Sequence, residues 1–170
     1  MDTLKDALPQ IGNDKASSSR PQPSHTRLLN GENGLDAAQW RVAQGTLVTL
    51  LALAHAYFMR GSVKEAEYFA QQAQDLAEAV SAHLMIARAV LQRAEIQVSM
   101  DKIAEATELL DKADVHLKDA MVVDHADALR LRGVCKGLSQ DEDSARECYE
   151  NASSALGKIE RTLEKLESVK

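Results

Sequence analysis

Apolar positions recur at helical spacing through most of the chain. Between Asp36 and Arg60, Trp40, Leu47, Leu50, Leu51, Ala54 and Phe58 fall on one side of a 3.6-residue period and predict a first helix. Asp36 follows Gly34 and Leu35 and is placed to cap it. Gly61 closes it, because a residue without Cβ enters the left-handed cap conformation freely. A second helix is predicted over 62–80, with Ser62 as N-cap and Glu65 three residues on, the pattern of a capping box. Helices then follow over about 81–100, 101–117 and 124–138. In the fourth, Leu109, Leu110 and Ala113 point inward. A sixth starts after Ser139, where Asp141, Glu142 and Asp143 suit a positive helix N-terminus, and Gly157 is placed to end or kink it. Ile159, Leu163 and Leu166 make a final apolar stripe that needs cover, so 159–166 is a candidate self-association surface.

The small residues repeat. Ala54, Ala66 and Ala73 are spaced by twelve and then seven, and so are Ala94, Ala106 and Ala113, and Gly133, Ala145 and Ala152. A period near forty residues marks an array of helix pairs in which no pair covers its own apolar face and neighbours complete the core. The stretch before Gly34 differs in kind. Pro9, Gly12, Ser17 to Ser19, Pro21, Pro23 and Gly31 punctuate it, and it has too little apolar surface to offset the entropy of ordering. The expected layout is therefore a disordered arm over 1–34 and a helical-repeat domain over 35–170.

Ala54, Tyr57, Gly61, Ala66 and Ala73 resemble the pattern of the tetratricopeptide repeat superfamily: a small residue and an aromatic on a first helix, a turn glycine, and two alanines on a second. Gln97 and Lys136 stand where later copies would carry the aromatic, and Asp101 and Gln140 where they would carry the glycine. The closing proline is absent, and the period exceeds the usual ~34 residues. The resemblance implies an all-α, right-handed, tetratricopeptide-like solenoid of three antiparallel helix pairs. A narrower likeness lies in Thr46 to Leu76, where Glu65, Ala66, Tyr68, Phe69, Gln72 and Ala73 look like the helical-repeat region of fungal separases. Separases are cysteine proteases of chromosome segregation. The catalytic domain, with its His and Cys, has no counterpart in this sequence. By that resemblance the chain would be a non-catalytic segment, nuclear or cytoplasmic, that supports a securin-like inhibitor or the shape of its parent.

Composition agrees with a scaffold more than with an enzyme. The net charge of −6 makes nucleic acid an unexpected partner. No nucleotide loop or zinc-protease motif occurs, no cofactor or metal site is expected, and no catalytic residue is assigned. Cys135 and Cys148 fall on different helices and read as core residues of a reducing compartment. Neither a leader nor a membrane span is expected, and the apolar run Thr46 to Ala56 reads as a buried helix face. The first helices of the pairs lean basic and the second acidic. If the first helices line a concave surface, Arg88, Arg93, Arg130 and Arg132 form a groove for an extended acidic or phosphorylated peptide, the alternative adaptor reading. Leu51 and His55 occupy positions where chaperone-binding members of the superfamily carry a Lys/Asn carboxylate clamp, so that activity is not expected.

Overall fold

The structure, a computed structural model, describes residues 35–117 and 121–167, with side chains as far as 161. The expected arm over 1–34, and Leu163 and Leu166 of the terminal stripe, lie outside what is described at side-chain level. The described chain is all-helical: α1 (Ala37–Met59), α2 (Val63–Ala79), α3 (His83–Ser99), α4 (Ile103–His116), α5 (Val122–Leu138) and α6 (Glu142–Glu167).

One turn geometry recurs. At the end of α1, Gly61 takes φ 77°. Its N–H donates to Phe58 O at 2.9 Å and the Ser62 N–H to Tyr57 O at 2.9 Å. This pair of bonds satisfies the last carbonyls of a helix through a left-handed residue. The same pair returns around Ser81 (φ 50°), Asp101 (φ 60°) and Gln140 (φ 64°). Asp101 and Gln140 therefore keep the glycine geometry without being glycine. Asp101 is a turn residue, not the first residue of a helix, and the observed helices start two residues later than the sequence places α3 and α4.

Two other expectations change. Asp36 caps α1 as expected, accepting from the N–H groups of Ala38 and Gln39 at 2.8 Å each, with Gln39 reaching back to the Asp36 N–H. Ser62 makes no side-chain cap bond, because the preceding left-handed turn already fixes the entry of α2. Gly157 neither ends nor breaks α6, which runs on to Glu167; one glycine costs a helix only about 1 kcal/mol.

Consecutive helices pack side by side, and α1 also touches α3, and α3 touches α5. The small residues sit where backbones approach: Ala54, Ala66, Ala73, Ala94, Ala106 and Ala113 are each 0% exposed. The main core joins Leu47, Ala77, Ala87, Val90, Leu91, Leu110, Leu117, Leu131 and Cys135 across five helices. A second core gathers Ala54, Ala66, Ala70 and Ile96, flanked by Tyr57 stacked on Phe69 at 5.3 Å.

Candidate protein-interaction surface

The four arginines of the expected basic groove are distributed along α3 and α5. Each already faces a carboxylate of the same chain. Arg88 forks onto Asp124, Nε to Oδ1 at 2.8 Å and Nη2 to Oδ2 at 3.2 Å, tying α3 to α5. Asp124 is 7% exposed, so its carboxylate is the most protected of the acceptors. Arg130 returns the link from α5 to Glu95 at 3.0 Å and also meets Asp127. Arg93 donates to Glu67 at 2.9 Å and to Gln74 at 2.7 Å, fastening α3 to α2. Arg132 donates to Asp111 at 3.0 Å and Asp114 at 2.6 Å, fastening α5 to α4. The guanidinium pKa values rise above the ordinary arginine value at three of them. At Arg88 the hydrogen bond it donates to Asp124 is the main cause. At Arg130 and Arg132 burial works against the charge, and the hydrogen bonds they donate to Glu95 and Asp127, and to Asp111 and Asp114, outweigh it. A peptide carboxylate or phosphate at any of the four competes with a partner already in place.

Arg93 and Arg132 stand at equivalent places. The register that aligns Ala94 with Gly133 and Ala73 with Ala113 also aligns Arg93 with Arg132 and Gln74 with Asp114. The clamp from a first helix onto the second helix of the preceding pair is thus made twice. This pairing was not legible from charge counts, which show basic and acidic helices without showing which register joins them.

The face of α1 is the largest departure from expectation. The apolar run Thr46 to Ala56 predicts a buried helix face, but only Leu47 and Ala54 of α1 are buried. Gly45, Thr49, Ala52, Leu53 and Ala56 are exposed, as are Val42, Val48 and Met59. Helical periodicity marks the apolar positions; it does not say whether a neighbour exists to cover them. With mean hydropathy 1.4 in its most apolar 18-residue stretch, α1 is the one described helix long and apolar enough to cross a membrane. A core helix and a signal sequence pass the same test, so length and composition alone do not assign a span.

At the other end α5 and α6 enclose an open groove of about 780 Å³, lined by Val123, Ala126, Tyr149, Ala152, Leu156 and Ile159 among others. Tyr149 lies over Gly133, where a Cβ would meet the ring at 2.8 Å. A smaller hollow of about 440 Å³ holds Cys135 and Cys148. Burial pushes the Cys135 thiol up, which disfavours the nucleophilic thiolate.

Sequence spacing shows no histidine pair, yet the α3–α4 hairpin brings His83 Nδ1 to 3.1 Å from His116 Nδ1, with ring centroids 5.3 Å apart. The signal was available: the start of one helix and the end of the next meet when a tight turn makes them antiparallel. One nitrogen of the pair must carry the proton and the other accept it. Among the described residues no group of three or more His, Cys, Asp or Glu side chains is arranged to hold a metal ion.

Comparison with known proteins supplies no relative: no family model, no curated protein and no solved structure matches the chain.

Proposed function

We propose that the chain is a non-catalytic protein-interaction scaffold built as a right-handed, tetratricopeptide-like array. One observation carries this reading. The same left-handed turn closes α1, α2, α3 and α5, at Gly61, Ser81, Asp101 and Gln140. The first three lie twenty residues apart, and the fourth falls one helix pair later. A uniform turn joining successive helices stacks them in one direction, and each added pair buries the face its predecessor leaves open. Extended surfaces of this kind bind protein segments.

The narrower reading is a segment of the helical-repeat region of a separase-like cysteine protease. It rests on Glu65, Ala66, Tyr68, Phe69, Gln72 and Ala73, which lie together on α2. In that role the chain contributes shape, or contact with a securin-like inhibitor, in the nucleus or cytoplasm, and cleavage belongs to another domain. The adaptor reading, with Arg88, Arg93, Arg130 and Arg132 gripping an acidic or phosphorylated peptide, is the weaker of the two, since all four already hold carboxylates.

Sequencing the transcript on both sides of these codons tests the narrower reading. An open frame that continues as helix pairs and reaches a His/Cys protease domain supports it. A frame whose remaining sequence contains no such domain refutes it.

A further inference from the structure

The first and last described helix pairs carry complementary halves of the interface that joins the pairs between them. Five positions of α3 repeat along the array: Met85, Ala89, Gln92, Arg93 and Ile96. Three of them meet the preceding pair: Gln92 Nε2 donates to Leu51 O of α1, Arg93 reaches Glu67 and Gln74 of α2, and Ile96 is buried among Ala54, Ala66 and Ala70. Met85 packs against the main core and Ala89 is buried. The same five on α5 are Asp124, Ala128, Leu131, Arg132 and Cys135. Four of these are at most 7% exposed, and Arg132 clamps α4. On α1 the five are Gly45, Thr49, Ala52, Leu53 and Ala56, and all are exposed. The helix presents the docking face of a first helix with no other described residue docked behind it.

The receiving half is open at the other end. On α2, Ala70 and Ala77 lie under α3 and are 0% exposed. Their counterparts, Leu110 on α4 and Leu117 at its C-cap, are 0% and 2% exposed. Their counterparts on α6, Tyr149 and Leu156, are 43% and 46% exposed and line the α5–α6 groove.

We infer that α1 of a second copy of this chain occupies the α5–α6 groove, giving a head-to-tail contact. The inference rests on the repeat-array reading. The choice of occupant follows from chemistry at the clamp position. Interior pairs join an arginine to Gln74 or Asp114. At these two places the arginine position is Leu53 and the acceptor position is Ser153, so an uncharged helix face meets a groove without the clamp's Gln or Asp. The groove's own charges are Asp127, Arg130 and Glu160, and Arg130 is already paired with Asp127 and with Glu95 of α3. Glu150, the counterpart of Asp111, is exposed and stays at the solvent rim. Between Val42 and Met59 the helix carries no Asp, Glu, Lys or Arg that the groove would have to neutralise. A contact between two different surfaces does not close on itself, so association continues past the dimer.

Sedimentation equilibrium of the full chain over a concentration series is the test. The mass average rises with concentration from the 18.6 kDa monomer past twice that value. Ala52→Glu on α1 and Leu156→Glu in the groove alter exposed positions, and circular dichroism checks that both variants stay helical. Each alone remains monomeric, because each keeps one intact half. Mixed, they form a one-to-one pair that stops at the dimer. A wild-type chain that stays monomeric throughout overturns the inference. So does wild-type association by Ala52→Glu alone, or a mixture that fails to pair. Wild-type chain that is monomeric but floats with neutral phosphatidylcholine vesicles, a property lost in Ala52→Glu, overturns it in favour of a bilayer. Spin-label distances along α2, α4 and α6 test the array itself, so a monomer with evenly stepped distances sinks self-association and leaves the array standing.

Discussion

Three turns in this chain hold a left-handed backbone on residues that disfavour it. Ser81, Asp101 and Gln140 have φ values of 50°, 60° and 64°, where Gly61 has 77°. A side chain in this region costs about 1–2 kcal/mol, less for Asp, whose short polar side chain tolerates it. Replacement by glycine removes that strain but widens the unfolded ensemble, at a cost of about 0.4–1 kcal/mol. The net expectation is a gain of about 0.5–1 kcal/mol each for Ser81→Gly and Gln140→Gly, and a few tenths for Asp101→Gly. With a urea slope of about 1.5–2 kcal/mol/M, Gln140→Gly moves the midpoint up by about 0.4 M. The converse change, Gly61→Ala, moves it down by a similar amount. Its new Cβ meets nothing within 4 Å, so the backbone angle alone is tested. Urea titrations followed by helical ellipticity read all four variants. If the three glycine variants lose stability while Gly61→Ala is neutral, the turns are not left-handed caps and the reasoning fails.

Asp124→Ala should lower stability by about 1–2 kcal/mol, a charged hydrogen-bonded pair discounted for the 36% exposure of the Arg88 side chain. A double-mutant cycle with Arg88→Ala then shows coupling, and simple additivity would refute the pairing. Asp141 caps α6: hydrogen bonding from Ser144 holds its carboxyl below the usual range, with Lys136 adding to the effect. A depressed folded-state pKa gives stability that is present above the unfolded value of about 3.9 and is lost as pH falls through the folded value. The stability difference between the wild type and Asp141→Asn should therefore shrink below about pH 4; a difference independent of pH between 7 and 3 would contradict this assignment.

The helices and their turns were legible because their causes are local. The apolar period, Gly61 and the Asp36 cap all act within a few residues of one another. The Ala spacing was legible too, since close backbone approach leaves no room for anything larger. What escaped depends on neighbours. Thr49 and Ala89 hold the same position in the repeat, yet Thr49 is exposed and Ala89 is buried. Ala89 lies on α3, which packs against α1 and α2, whereas no described residue covers Thr49. The arginines reach partners 18–36 residues away, chosen by interhelical register and not by charge totals. The His83–His116 contact joins residues 33 apart for the same reason.

The array itself can be tested with pulsed electron resonance on spin labels at Lys64, Ala104 and Asp143. These are exposed, equivalent positions near the starts of α2, α4 and α6. The labels would be placed in pairs in a Cys135→Ala, Cys148→Ala background. The account predicts that the 64–104 and 104–143 distances agree within a few ångströms on the order of label uncertainty, and that the 64–143 distance clearly exceeds both, since repeats contact only their neighbours. A 64–143 distance no longer than the other two would mean that the helices close into a bundle, and would contradict it.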